Sequence, residues 1–146
     1  MATDFSGLWR LDRDASTFHG PAPRSLSMKI EHRELDLIQH IVATNESGAE
    51  QRRFFTCTIG EETISAIGET TLTCRARWQD GDTRELVIET VMSRQGRDLV
   101  FQDHWSLSAD GATLTMAHHD DALAGQVVRL IRDEDTSTFD AAPPPP

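Results

Sequence analysis

The stretch that decides the fold is Leu99–Asp121, LVFQDHWSLSADGATLTMAHHDD. Apolar residues alternate with polar ones on both sides of Asp110-Gly111: Leu99, Phe101, Trp105 and Leu107 before it, Leu114 and Met116 after it. A period of two sends successive side chains to opposite faces of a strand, so each half reads as a strand with one buried face. Asp-Gly between two such halves is a two-residue hairpin signal, because a type I′ turn needs positive φ at both positions. With that turn, Leu107 faces Leu114, Trp105 faces Met116 and Asp103 faces His118. The apolar face therefore runs on into a carboxylate opposite an imidazole, at the ~4.5–5.5 Å Cβ spacing of directly opposed residues. The same count sends His104 and His119 to the other face.

The alternation recurs along the chain. SLSMKIEH (25–32) places Leu26, Met28 and Ile30 on one face, and TLTCRARW (71–78) does so for Leu72, Cys74, Ala76 and Trp78. Such segments fall near 5–12, 24–32, 35–43, 50–59, 62–67, 70–79, 84–93, 96–108, 112–120 and 125–133, with turn signals between most of them. A turn at Arg33-Glu34 would pair Ile30 with Leu37, Met28 with Gln39 and Leu26 with Ile41. A tight turn at Asp80-Gly81 would send Leu86 and Ile88 outward, so a longer loop or a bulge is expected there, keeping Leu86, Ile88 and Thr90 inside. Residues 13–23, RDASTFHGPAP, hold at most one short turn, since Gly20, Pro21 and Pro23 forbid continuation of a helix.

Short connections make sequential strands antiparallel neighbours. Left open, such a meander exposes two edges, and closure removes them. The expected fold is all-β, an up-and-down antiparallel barrel of about ten strands, a number that leaves room for an internal cavity. Residues 1–135 form the barrel, and 136–146, ending in a proline run, read as a disordered tail.

At 146 residues the chain suits one domain with a proper core. Its formal charge of −10 argues against nucleic acid and against an anionic membrane surface. No run approaches the ~18 apolar residues of a membrane helix, and MATDFSGLW lacks the charged and apolar regions of a secretory signal, so a cytoplasmic location is expected. The two cysteines, Cys57 and Cys74, each lie in a strand-like run and read as buried free thiols.

The opening DFSGLWRL carries Gly7-Leu8-Trp9, a G-x-W at the start of the first strand. In this position it resembles the lipocalin and fatty-acid-binding-protein (calycin) superfamily. The phrases FSGLWRL, MKIEH and DHWSLSADGATLTM resemble an uncharacterised bacterial lipocalin-like group. The resemblance implies that Trp9 closes one end of the barrel and that an arginine of the last strand, Arg129 or Arg132 in VVRLIRDE, packs nearby. The chain departs from these families in having no tyrosine, with Arg129-Leu130-Ile131 where fatty-acid-binding proteins carry an R-x-Y carboxylate clamp. The clamp and the helical lid of those proteins are therefore not expected.

No metal is expected, because adjacent His118-His119 and Asp120-Asp121 point opposite ways along a strand and zinc wants three or four converging ligands. No cofactor is expected either: GEETISAIGETT lacks both the dinucleotide and the Walker patterns. The expected function is binding of a small, mainly apolar molecule with one polar group inside the cavity, by a monomer or homodimer. Its expected lining is Met28, Gln39, Ile41, Thr90, Phe101, Asp103, Trp105, Met116 and His118. Arg129 joins these if it points a cation inward rather than stacking on Trp9. Three roles stay open for Asp103 and His118: polar residues at a wet mouth, a pair that orients a ligand, or catalytic residues of an isomerase, hydratase or cyclase type of enzyme, with His118 as general base or acid and Asp103 fixing its tautomer.

Overall fold

The computed structural model describes residues 3–18, 22–79, 82–120 and 125–134. The tail at 136–146, the Asp80-Gly81 pair and the start of the loop after Asp120 lie outside them. Ten antiparallel strands form one nearly closed barrel: β1 (Gly7–Leu11), β2 (Ser25–Arg33), β3 (Asp36–Thr44), β4 (Glu50–Thr58), β5 (Glu62–Ile67), β6 (Thr70–Gln79), β7 (Asp82–Arg94), β8 (Arg97–Leu107), β9 (Thr113–Asp120) and β10 (Gln126–Arg132). The sheet order β4-β3-β2-β1-β10-β9-β8-β7-β6-β5 is a meander in which β1 closes onto β10. No helix occurs among the described residues, and none is long and apolar enough to cross a membrane.

The seam of the barrel lies between the two edge strands, β4 and β5. At one end the chain after β4 ties across it: Ile59 bridges Ala76 in parallel fashion, and the Gly60 N–H donates to the Ala76 carbonyl at 2.8 Å. Elsewhere β4 is paired to β3 and β5 to β6.

The β8–β9 hairpin has the register read from the sequence, with Leu107 opposite Leu114, Trp105 opposite Met116 and Asp103 opposite His118. Its turn differs from the expected type I′. Only Gly111 has positive φ (72°), and the connection opens over four residues, with the Ser108 N–H donating to the Thr113 carbonyl and the Gly111 N–H to the Ser108 carbonyl. Asp110 Oδ1 accepts from the Ser108 hydroxyl and the Ala112 N–H, which holds the loop in that wider form. The β2–β3 turn is also displaced. It sits on Glu34-Leu35, so Arg33 faces Asp36, Ile30 faces Gln39 and Met28 faces Ile41. This is a slip of two positions relative to expectation, and a slip by an even number leaves every side chain on its own face. Glu34 accepts a φ of 55° to make it. At the start of β7 the register shifts between Trp78 and Gln79, and Trp78 then faces Leu86 and Ala76 faces Ile88, as the apolar pattern requires.

The core concentrates at the closed end. Phe5, Trp9, Leu37, Leu86, Leu114 and Leu130 are fully buried there. Trp9 Nε1–H donates to the Phe5 carbonyl at 3.1 Å, which satisfies the one polar atom of a buried indole. The arginine on its face is Arg132, whose guanidinium carbon lies 4.4 Å from the ring centroid. Arg132 is held there by donating to the Gly111 and Ser6 carbonyls. Gly7 explains the rest of the G-x-W. Its φ is 147°, and a Cβ at this position would run into Arg132 Nη1.

Candidate functional site: a cavity with a carboxylate–imidazole pair

Above this floor the barrel encloses a cavity of about 310 Å³. Inward positions of neighbouring strands form rows along the ladder. One row runs Ala76–Ile88–Asp103–His118–Gln126 through β6, β7, β8, β9 and β10. The row below it runs Trp78–Leu86–Trp105–Met116–Val128, so an apolar layer lies directly under the polar pair. Trp105 is the floor of the cavity, with Phe5 packed edge-on beneath it at 5.7 Å between centroids.

Asp103 and His118 meet inside. Nδ1–H of His118 donates to Asp103 Oδ1 at 2.7 Å, the length of a charge-assisted bond. Their side chains are 18% (His118) and 25% (Asp103) exposed, so the pair faces the cavity rather than bulk water. The Phe101 ring tilts over the imidazole at 5.1 Å. Burial pushes the Asp103 carboxyl above the usual carboxylate range; the His118 hydrogen bond and the charges of His118, His104 and His119 pull it down without cancelling that effect. A carboxylate accepting from Nδ1 fixes the imidazole as the Nδ1–H tautomer and makes Nε2 its basic nitrogen. On the outer face, His104 Nδ1–H donates to Glu85 Oε1 at 3.0 Å and the ring packs edge-on against His119.

Met28, Gln39, Ile41, Thr90, Phe101, Asp103, Trp105, Met116 and His118 all line this one cavity. Arg129 does not. The register of β10 turns Val128 and Leu130 inward, so Arg129 faces outward, where its Nη1 donates to the Ala15 carbonyl at 2.6 Å. The expectation of a cation from Arg129 in the cavity, or of its stacking on Trp9, is corrected accordingly.

Several lining residues escaped the sequence reading. Arg53, Phe55 and Cys57 come from β4 and Ser65 from β5, all beside the seam, and Gln126 opens β10. Arg53 is exposed and turns its guanidinium to Gln51 Oε1 at 3.3 Å. Alternation along β4, with Arg53, Phe55 and Cys57 at every second position, was the available signal. In the floor, Phe5 stacks on His32 at 5.9 Å and on Trp78 at 6.2 Å; Trp78 was read as inward-facing, whereas Phe5 and His32 were missed. No group of three or more His, Cys, Asp or Glu placed to hold a metal occurs among the described residues.

No profile of a known family and no curated protein matches the chain by sequence. Solved structures do match by shape. Secretory abundant heat soluble protein 4 from Ramazzottius varieornatus superposes with a TM-score of 0.58 at 11% identity, over 92% of this chain and 99% of that one. The fluorescent protein UnaG gives 0.56 at 13% identity, over 88% and 97%. Fatty-acid-binding protein 1 of Echinococcus granulosus gives 0.53 at 8% identity, over 90% and 98%. At these identities the likeness is one of fold: this chain shares the antiparallel β-barrel shape of these proteins.

Proposed function

We propose that the barrel binds one small, mainly apolar molecule, and that Asp103 and His118 orient its single polar group. One observation carries this reading: a 2.7 Å carboxylate–imidazole pair sits on the wall of an otherwise largely apolar cavity. A mainly apolar cavity with a few placed polar groups is the usual anatomy of a small-molecule site, and about 310 Å³ lies at the small end of the range for such sites. Two of the structural neighbours are fatty-acid-binding proteins by name, but a free carboxylate suits this cavity poorly. The Asp103 carboxylate would repel it, and Arg53 stands at the exposed edge of the lining. The handle is therefore a hydroxyl, phenol or amine. Native mass spectrometry of freshly purified protein, followed by a thermal-shift screen of apolar alcohols, phenols, amines and acids, tests this. A retained ligand or a stabilising alcohol, phenol or amine is expected. A barrel that takes up none of them, or prefers the acids, contradicts the reading.

A second reading, proton-transfer catalysis on an apolar substrate, draws on the same bond, since Asp103 fixes the tautomer that makes His118 Nε2 a base. In that case His118→Ala abolishes turnover while the fold persists, and the pH–rate profile carries a histidine limb. Equal turnover by the variant excludes it.

A further inference from the structure

The cavity wall carries a second chemically distinct group. Cys57 on β4 and Cys74 on β6 are both unbridged and both line the cavity. They are not sequence neighbours, and the strand between them in the chain, β5, pairs only with β6. What brings them together is the tie across the seam. Ile59 bridges Ala76 in parallel, and two residues back on each side, on the same inward face, stand Cys57 and Cys74. Each thiol is the largest influence on the proton affinity of the other.

We propose that Cys57 and Cys74 are a redox-active dithiol that closes to a disulfide and staples β4 to β6 across the open seam of the barrel. Cys74 is the attacking group. It is the more exposed of the two, and hydrogen bonds from Cys57 and Thr90 hold its thiol below the ordinary range against burial and the Asp103 charge. Cys57 is buried, and the neighbouring Cys74 and desolvation hold its thiol up, so that it keeps its proton. With a low-molecular-weight disulfide RSSR as oxidant, the Cys74 thiolate attacks one sulfur and expels RS⁻. Cys57 then loses its proton, attacks Cys74 Sγ and expels the second RS⁻. Two protein thiols are oxidised, one external disulfide is reduced to two RSH, and the protons pass to the leaving thiolates. Edge strand β4 is hydrogen-bonded along its length only to β3, so it can shift to meet disulfide geometry. The closed loop contains all of β5.

The test uses the full chain, reduced, desalted and then exposed to glutathione disulfide, with alkylation and mass mapping. Wild type is expected to lose both alkylatable thiols together, to drop in mass by two hydrogens without retaining glutathione, and to give a Cys57–Cys74 cross-linked peptide. Amide exchange in β4 should slow by about tenfold or more, because opening the seam no longer frees that edge. Cys57→Ser should trap glutathione on Cys74. The proposal is overturned by thiols that both stay alkylatable, by a stable glutathione adduct on the wild type, or by disulfide-linked dimers instead of the internal bond. The wild-type map decides by itself if a serine variant does not fold.

Discussion

Gly7→Ala probes the floor of the barrel, and its cost can be worked from the geometry. Gly7 has φ of 147°, where a residue with a Cβ stores roughly 1–3 kcal/mol of backbone strain. The new methyl would also run into Arg132 Nη1, so the guanidinium must leave its place 4.4 Å above Trp9. A cation over a fully buried indole contributes about 0.5–2 kcal/mol. The two hydrogen bonds of Arg132 are exposed and add little. The sum is a loss of about 1.5–5 kcal/mol, which for a domain of this size lowers Tm by roughly 5–20 °C. Urea denaturation followed by tryptophan fluorescence measures it. A double-mutant cycle with Arg132→Met separates the two terms: a coupling of about 1 kcal/mol is expected, because with Arg132 gone the methyl meets nothing rigid. A Gly7→Ala loss below about 0.5 kcal/mol, the scale of an ordinary surface substitution, would refute the reasoning.

Other consequences can be checked singly. Leu130→Ala, at a fully buried position of the same floor, should cost about 2–5 kcal/mol in the same denaturation assay. Carboxyl titration followed by NMR should find Asp103 above and Asp110 below the usual aspartate range, the first through burial and the second through hydrogen bonds from Ser108 and Ala112. The two act on stability with opposite signs. The folded state holds the Asp103 proton more tightly than the unfolded chain does, so ionising Asp103 destabilises the fold as pH rises from the unfolded value through the folded one. Asp103→Asn removes that term, so its stability relative to wild type should increase over that interval. Asp110 contributes stability above its unfolded value that is lost as pH falls through its folded one, and Asp110→Asn should flatten that acid limb.

Local pattern carried most of this structure. Strand period and turn chemistry depend on neighbours in sequence, so the ten strands were legible along the chain and the Asp103–His118 register from residues 99–121 alone. The β2–β3 turn was misplaced by one residue because Arg33, Glu34 and Leu35 carry no glycine or asparagine to mark the left-handed position that Glu34 takes. What pattern could not supply were meetings between distant strands. Arg129 and Arg132 are both polar residues in one short strand, and only the closure of β1 onto β10 decides which of them meets Trp9. Cys57 and Cys74 meet only because the chain after β4 crosses the seam to β6. Phe5 lies outside any strand, and its role in the floor follows from the packing of four aromatic rings drawn from separate segments.

The central claim is that a guest in the cavity is held by its polar group at Asp103 and His118. Its most direct test is calorimetric titration of wild type and His118→Ala with three ligands of one shape, an aryl-alkyl alcohol, the matching hydrocarbon and the matching carboxylic acid. Wild type should bind the alcohol one to one and about tenfold or more tighter than the hydrocarbon, the worth of one hydrogen bond to a charged or polarised group. The acid should bind most weakly, and His118→Ala should erase the preference for the alcohol while leaving hydrocarbon binding in place. Equal affinities for all three ligands in wild type, or an alcohol preference that survives in His118→Ala, would contradict the account.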